Sequence, residues 1–238
     1  MSSPYGLELV ESCLGCKLPC RESLCALPPQ PLAEFEKIKL ANLLPKGSTL
    51  YVAGQKPGGI YLVCVGKVKL CTNAGNGRTI IVRIAGPGEV LGLHACVLGT
   101  PHEFTADTAQ ASQIVFVRVE DLLAFLKQDD QACWKAAQVL SRECQEAHKI
   151  IRGVGLAHSA SEKMARLMLD IAAIGQATRE GIRVDVTLTH KEIAQAIGMS
   201  RETVWRKLNE FRKKGLAILE GSTLLIQNKA ALKRLAGR

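Results

Sequence analysis

The chain has 238 residues, and 47% of them are hydrophobic, which is enough to fill a core and excludes wholesale disorder. No stretch approaches about 20 uninterrupted apolar residues, so no membrane span is expected, and the first residues lack the pattern of a secretory signal. The formal net charge of +9 favours a polyanionic partner, while 4% aromatic residues argue against a stacking platform for single-stranded nucleic acid.

Four cysteines crowd into the first 25 residues, whereas the other five are scattered along the chain. The crowded residues are Cys13, Cys16, Cys20 and Cys25. Without an export signal, this usage indicates a reducing compartment, the cytoplasm, in which thiols stay free or hold metal. The proline-rich stretch at 27–31 cannot continue a helix, so residues 1–30 are predicted to form a separate cysteine-rich segment.

Short strands are predicted within residues 31–119. Apolar residues alternate with other residues in five runs, which are 48–52, 60–65, 68–71, 79–84 and 113–117. Turns that contain glycine separate these runs. Many short strands joined by such turns predict an antiparallel barrel or roll.

Helical sequence follows the strands and fills residues 120–153. A short helix is expected at 120–127, and residues 130–152 contain no glycine or proline. Small and apolar residues recur there in alternating steps of four and three, namely Cys133, Ala137, Leu140, Cys144, Ala147 and Ile151. This heptad seam predicts a parallel dimer. The alternative is that the long helix lies on the core of its own domain.

Residues 154–238 predict a winged helix-turn-helix. The expected elements are a helix at 161–174, a strand at 184–188, helices at 191–197 and 200–214, and a hairpin at 216–226. Thr189 and Glu192 have the spacing of a capping box at the start of the first short helix. Gly198 ends that helix, and Ser200 caps the next one.

The second short helix carries six basic and two acidic residues between Ser200 and Lys214, a local net charge of +4. One face presents Arg201, Glu202, Trp205 and Arg206. Arginine can donate two hydrogen bonds to guanine, and glutamate can accept one from cytosine. An acidic residue on this basic face suits base reading, because phosphates would repel it. The alternative is a solvated helix in which Glu202 and Arg206 form an ordinary ion pair one turn apart.

The segment LTHKEIAQAIGMSRETVWRKLNEFRKKGLAILEG closely resembles the DNA-binding domain of the CRP/FNR family of bacterial transcription regulators. The segments KGSTLYVAGQ, IYLVCVGKVKL and GPGEVLG are similar to the β-roll of that family. The resemblance implies an α+β fold with an N-terminal antiparallel β-roll (double-stranded β-helix), a long dimerisation helix and a C-terminal winged helix-turn-helix. It also implies a cytoplasmic homodimer that binds a near-palindromic promoter site on double-stranded DNA and contacts RNA polymerase.

The same resemblance implies roles for individual residues. Arg201, Glu202 and Arg206 match the base-reading Arg-Glu-x-x-x-Arg of the family, which implies a TGTGA-like half-site. Phosphate contacts are implied for Thr189, His190, Lys191 and Ser200. Trp205 stands where the family has glycine or serine, and its indole could pack only on a thymine methyl or a sugar edge. The alternative is that Trp205 covers the flank of its own helix.

Cyclic-nucleotide binders of this family carry a Gly-Glu pair followed by an arginine that holds the phosphate. This chain keeps Gly88 and Glu89, but residues 101–106 read PHEFTA and offer no cation beyond His102. A buried phosphodiester would lack its main charge-assisted hydrogen bonds, and Glu103 would repel it. A nucleotide effector is therefore not expected.

The cysteine spacing resembles the segment that holds a 4Fe–4S cluster in the oxygen-sensing branch of the family. Thiolates are the soft ligands that such clusters require. That branch usually adds one cysteine from a later strand, but the corresponding residues 112–117 contain none. The resemblance therefore implies either four ligands from residues 13–25 or a substitute from Cys96. The implied signals are oxygen, nitric oxide or redox state.

Three alternatives remain for the cysteines: a structural zinc site, a thiol–disulfide switch without metal, and a vestigial segment that binds nothing. An enzyme built on the cluster is not expected, since the sequence resembles no P-loop, GxSxG elbow or HExxH pair.

Overall fold

The computed structural model describes residues 4–16, 23–73, 79–156, 159–172, 176–185, 189–221 and 223–237, with the backbone alone described at 149–156 and at Asp185. The chain divides into two compact units, residues 1–74 with 82–146 and residues 75–81 with 147–238. Within the described ranges, no helix combines the length and the apolar character needed to cross a membrane.

In the described residues, two antiparallel sheets and four α-helices make up most of the first unit, and β5 and α4 extend past its boundary. Its helices are α1 (Pro29–Ile38), α2 (Leu93–Leu98), α3 (Val119–Gln128) and α4 (Asp130–Leu156). The strands are β1 (Lys39–Leu44), β2 (Thr49–Tyr51), β3 (Gly59–Val65), β4 (Val68–Asn73), β5 (Thr79–Ala85), β6 (Val90–Leu91), β7 (Thr105–Thr108) and β8 (Ser112–Arg118). One sheet has the order β1-β8-β3-β6 and the other β2-β7-β4-β5. The predicted antiparallel roll is confirmed.

Strands β3 and β8 are buried on both faces. One face, which includes Val63 and Ile114, packs inside the roll with Leu70 of β4. The opposite face, which includes Leu62 and Val115, packs with residues of α1, α3 and α4. Because successive side chains of a strand point to opposite faces, adjacent residues of β3 and β8 serve two different cores.

The predicted helical region consists of two helices that meet at Asp129. The Asp129 side chain accepts a hydrogen bond from the Ala132 amide at 2.7 Å, and it caps the start of α4. Ala132, Ala136 and Val139 are buried against the core that α4 shares with β3 and β8. The long helix therefore does lie on the core of its own domain, as the alternative interpretation expected.

The predicted seam occupies a neighbouring face of α4. Four of its members are exposed or half-buried outside the core, namely Cys133, Ala137, Cys144 and Ala147. Leu140 is partly buried against the core of the first unit, and the side chain of Ile151 lies outside the described residues. One helix can thus pack on the roll through one face and leave most of the seam accessible.

The second unit has the predicted winged helix-turn-helix architecture. Its elements are α5 (Ala160–Ala172), β9 (Gln176–Thr178), β10 (Gly181–Asp185), α6 (His190–Ile197), α7 (Arg201–Lys213), β11 (Ala217–Glu220), β12 (Thr223–Ile226) and α8 (Lys229–Leu235). The sheet order is β11-β12-β10-β9. The strand expected at 184–188 begins earlier, at Gly181, and residues 186–188 lie outside the described ranges.

The two faces of α4 predict different responses to the same substitution. We expect Ala136→Asp to lower the free energy of unfolding by roughly 3 kcal/mol or more, because it places an unpaired charge in the core. Gln138→Asp is the matched control, since Gln138 is exposed and belongs to neither the core nor the seam. Urea unfolding of both variants measures the difference. Equal costs would contradict the packing of α4 on the roll.

Candidate functional site

Helix α6 begins with the predicted capping box. The Thr189 hydroxyl accepts a hydrogen bond from the Glu192 amide at 3.2 Å, and the Glu192 carboxylate accepts one from the Thr189 amide at 2.9 Å. The helix ends at Gly198, whose φ of 65° is a left-handed conformation that favours glycine. These local signals fix the length of α6 and the turn that leads into α7.

Helix α7 is capped by Ser200, whose hydroxyl accepts a hydrogen bond from the Thr203 amide at 3.2 Å. It buries the predicted apolar face, formed by Val204, Leu208 and Phe211. The opposite side chains Arg201, Glu202, Trp205 and Arg206 are all exposed. Burial of one face thus aims the predicted base-reading residues outward.

The side chains on the exposed face of α7 are accessible to a ligand. Glu202 and Arg206, both in the described part of the chain, form no ion pair with each other in the structure, contrary to the alternative of a simple helical pair. The Trp205 side chain is 61% exposed, which favours an external partner over packing on its own helix. The arrangement leaves a cation, an anion and an aromatic ring available to a ligand.

Other charges of α7 are paired. Lys207 and Lys214 each lie 2.7 Å from Glu210, and their hydrogen bonds lower the pKa of that carboxyl to about 2. Arg212 lies 3.4 Å from Glu220 of β11. The basic residues of the helix therefore divide into a paired group and an available group that includes Arg201 and Arg206.

Three of the four predicted phosphate contacts line one concave surface, and Ser200 is not among its lining residues. Thr189, His190, Lys191, Arg201 and Gly221 line a cavity of about 430 Å³. It joins the start of α6, the start of α7 and the tip of the β11–β12 hairpin, where Gly221 has a φ of 58°. Amide groups at helix N-termini and nearby cations favour anions. Sequence reasoning placed Arg201 with the bases and missed Gly221 altogether.

Of the four N-terminal cysteines, Cys13 and Cys16 lie in what we call the leading segment, residues 7–16, and Cys25 lies in a 3₁₀ turn at Leu24–Ala26. The Cys16 amide donates a hydrogen bond to the Cys13 carbonyl at 3.3 Å, so the first two cysteines share a turn. A hydrogen bond with the Cys25 side chain is the main cause that lowers the pKa of Cys13. Cys13 and Cys25 are therefore neighbours, although twelve positions separate them in sequence.

Two charged residues of the first unit contact Cys13. Lys39 Nζ lies 3.6 Å from Cys13 Sγ, and Glu36 Oε1 lies 2.7 Å from Lys39 Nζ. The Cys13 amide donates a hydrogen bond to Glu36 Oε2 at 3.0 Å. Cys13 is nevertheless buried among apolar residues. The lysine places a positive charge next to a buried thiol, which stabilises its thiolate form.

The four predicted ligands are only partly brought together. Cys20 lies outside the described residues, and among those described no three His, Cys, Asp or Glu side chains form a group that could hold a metal ion. Cys96 of α2 is buried in the same core as Cys13, and burial raises its pKa to about 11, which disfavours the thiolate. Cys13 and Cys25, with the Lys39 charge beside them, fit soft-metal ligation by the chemistry of their donors.

In the described part of the roll, Glu89 and His102 both contact other residues of the protein. Glu89 forms an ion pair with Arg83 and accepts a hydrogen bond from the Gly86 amide. His102 is buried and stacks on Tyr51, with ring centroids 3.8 Å apart. Burial lowers the pKa of His102 below its ordinary value of 6.5, so its imidazole is neutral at pH 7.

Sequence reasoning missed the residues that hold the leading segment. Gln113 of β8 is 4% exposed, and its side chain exchanges two hydrogen bonds with the backbone of Val10. One signal was available, since a glutamine inside the apolar run 112–117 needs a polar partner when it is buried. Glu36 and Lys39 gave no comparable signal.

Comparison with known proteins places these features in a family. Residues 42–129 match the family model of a cyclic nucleotide-binding domain, and residues 162–235 match that of a Crp-like helix-turn-helix domain. The chain is 28% identical over 210 residues to a CRP-like cAMP-activated global transcriptional regulator of Mycobacterium tuberculosis, covering 87% of this chain and 93% of the relative. It is 26% identical over 239 residues to the fumarate and nitrate reduction regulatory protein of Escherichia coli, covering 94% and 92%.

A solved structure shares the architecture. The crystal structure of a CRP-family transcriptional regulator from Thermus thermophilus superposes with a TM-score of 0.71 and 25% identity, covering 83% of this chain and 97% of that one. The relatives are transcriptional regulators and not enzymes, as predicted. With a matched roll, a matched helix-turn-helix and regulators as relatives over most of its length, the chain belongs to the CRP/FNR family of DNA-binding transcription regulators.

Proposed function

We propose that the chain acts in the bacterial cytoplasm as a homodimer that binds a near-palindromic promoter site, contacts RNA polymerase, and responds to oxygen, nitric oxide or redox state through its N-terminal cysteines. The observation that carries the DNA part is the exposed face of α7, on which Arg201, Glu202 and Arg206 are available to a ligand. Arg201 and Arg206 each read a guanine, and Glu202 reads a cytosine on the opposite strand. Trp205 packs on a thymine methyl.

Phosphate contacts position that helix. Thr189, His190 and Lys191 at the start of α6 and Ser200 at the start of α7 meet the DNA backbone, and the cavity that three of them line with Arg201 suits a phosphate. Base contacts specify the sequence, whereas phosphate contacts set affinity and salt dependence. The two groups of residues should therefore separate experimentally.

The DNA interface predicts different outcomes for three basic residues. Arg206→Ala should cost about 1–3 kcal/mol and relax one base position, whereas Lys191→Ala should weaken all sequences alike and flatten the salt dependence. Arg212→Ala is the matched control on the same helix, since Glu220 already pairs with Arg212. Binding-site selection and salt titration measure these effects. An unchanged selected half-site for Arg206→Ala would reduce Arg206 to a phosphate contact.

The dimer is supported by the accessible seam of α4. Cys133, Ala137, Cys144 and Ala147 follow the heptad spacing and remain outside the core while the neighbouring face packs on the roll. In a parallel pair each seam residue meets its own copy across a two-fold axis. Such a pair sets two recognition helices about one turn of DNA, ~34 Å, apart.

Two natural cysteines allow a direct test of the seam. Mild oxidation of the purified protein should give disulfide-linked dimers through Cys133 or Cys144, because parallel symmetry brings equal positions within bonding distance. The Cys133→Ser/Cys144→Ser double variant should give none. Cys71→Ser is the control, since Cys71 is buried in the roll. A wild-type protein that is monomeric by light scattering and forms no such link would exclude the parallel seam.

The signal-sensing part of the proposal assigns a 4Fe–4S cluster to Cys13, Cys16, Cys20 and Cys25, with Cys96 as the substitute for one of them. Support comes from the thiol contact between Cys13 and Cys25 and from the adjacent Lys39 charge. When bound, the cluster would supply reactivity toward oxygen or nitric oxide. The raised pKa of Cys96 favours ligands from residues 13–25 over the substitute.

A second candidate follows from the same contact. Cys13 and Cys25 are hydrogen-bonded thiols, and one of them has a lowered pKa, as in a thiol–disulfide switch without metal. Zinc at the same four cysteines would instead be a structural site that does not respond to redox state.

Cysteine substitutions distinguish these candidates. Alanine at Cys16 or Cys20 should abolish the iron content and visible absorbance of anaerobically purified protein, because the cluster loses a ligand. Cys133→Ala is the control, since its thiol is exposed on α4. If both variants keep full iron while Cys96→Ala loses it, the ligand assignment is wrong. Iron-free protein that forms a Cys13–Cys25 disulfide and changes DNA affinity would favour the switch, and stoichiometric zinc would favour the structural site.

A further inference from the structure

The leading segment is held at two separate points by side chains of the first unit. At the first point, the Val10 amide donates to Gln113 Oε1 at 2.8 Å, and Gln113 Nε2 donates to the Val10 carbonyl at 2.7 Å. At the second point, Glu36 Oε2 accepts from the Cys13 amide at 3.0 Å. Both contacts use backbone groups of the segment, so they fix its path independently of its side chains.

The secondary structure of β8 does not require the Gln113 side chain. Gln113 belongs to the ladder of β8, where it pairs through its backbone with Leu43 of β1 and Val65 of β3. Its side chain is therefore not needed for the sheet, yet it is almost fully buried and satisfied by Val10 alone among the contacts shown. If the segment left, the buried Gln113 side-chain amide would lose its hydrogen-bond partner and carry a desolvation cost. The contact with Val10 therefore favours the docked position of the segment.

Glu36 is oriented by Lys39. Its carboxylate lies 2.7 Å from Lys39 Nζ, and the same lysine reaches Cys13 Sγ. Burial alone would raise the pKa of Glu36, but the hydrogen bonds from Lys39 and from the Cys13 backbone outweigh it. The pKa is therefore below its ordinary value, and the carboxyl group is an anion. Glu34 is a useful contrast on the same helix, because it is exposed and pairs only with Lys37 at 2.8 Å.

The strand register shows how the two points relate. Leu43 lies opposite Gln113, and Lys39, the ion-pair partner of Glu36, lies opposite Val117, so Gln113 and Lys39 are about four residue pairs apart, or ~13 Å along the ladder. The three steps from Val10 to Cys13 span at most ~10 Å when extended, and side-chain length covers the remainder. Val10 and Cys13 are therefore held by two different elements of the first unit, Val10 by Gln113 of β8 and Cys13 by Glu36 of α1.

We propose that Gln113 and Glu36 are positioning residues that hold the leading segment against β8 and α1 and thereby couple the state of Cys13 to the roll. The coupling to a signal rests on the proposed function of the cysteines, whereas the docking does not. Strand β8 continues directly into α3, and α4 follows. Release of the segment would thus remove both hydrogen bonds of the Gln113 side chain from β8, the strand that leads into α3.

Hydrogen exchange of the metal-free, reduced protein tests the docking. Peptides spanning residues 7–16 should exchange at least about tenfold faster in Gln113→Leu and in Glu36→Ala than in wild type, because the Val10 or Cys13 amide loses its acceptor. Glu34→Ala is the matched control and should exchange like wild type. Peptides from β3 report on folding and should be unchanged in every variant.

The Gln113→Glu variant should regain the protection of residues 7–16 at low pH. A residue that only fills space would not show this pH dependence. A protonated carboxyl can reproduce both hydrogen bonds to Val10, whereas the carboxylate cannot donate to the Val10 carbonyl. The docked state thus raises the pKa of the new acid, and protection of residues 7–16, corrected for intrinsic rates, should return as the pH falls. Unchanged exchange in Gln113→Leu, or no return of protection in Gln113→Glu, would overturn the docking.

A second measurement separates this inference from the proposed function. Anaerobically loaded Gln113→Leu should lose its visible absorbance in air several-fold faster than wild type does, since the ligand Cys13 is no longer held. Equal loss rates in the two loaded proteins would overturn the coupling while the iron–sulfur proposal stands. Faster exchange in a protein whose wild type takes up no iron would leave the docking intact and remove the iron–sulfur proposal.

Discussion

The burial of β3 and β8 on both faces is the constraint on which the first unit depends. A side chain at Gly59 of β3 would collide with the Val117 carbonyl oxygen of β8, so only glycine fits there. One face of the pair closes the roll, and the other receives the helices. Helix α3 follows β8 without a loop, so a shift in the position of β8 would act directly on α3.

The helix-turn-helix and hairpin of the second unit could be predicted because their signals are local, whereas β9, the start of β10 and α8 were missed. The capping box of Thr189, the glycine at 198 and the buried spacing of Val204 and Leu208 each depend on residues within one turn. The β11–β12 hairpin likewise follows from a short turn between two apolar runs. Such signals survive in a single sequence because no distant partner is needed to interpret them.

Elements of the first unit were missed where tertiary packing decides. Helix α1 begins at Pro29, and that proline was interpreted as a break, although proline is favoured in the first turn of a helix. Strand β1 is mostly exposed and has no apolar alternation, so only its pairing with β8 defines it. The contacts of Cys13 with Glu36 and Lys39 depend on the same packing, and no spacing rule predicts them.

The proposed function combines a helix that would read DNA with a cysteine segment that contacts the roll. It depends on a 4Fe–4S cluster as the group bound at the cysteines. Native mass spectrometry of anaerobically purified wild-type protein tests this most directly. We expect a dimer in which each subunit carries iron and sulfide in equal amounts, both lost on exposure to air. A dimer that carries only zinc, or no metal at all, would contradict it.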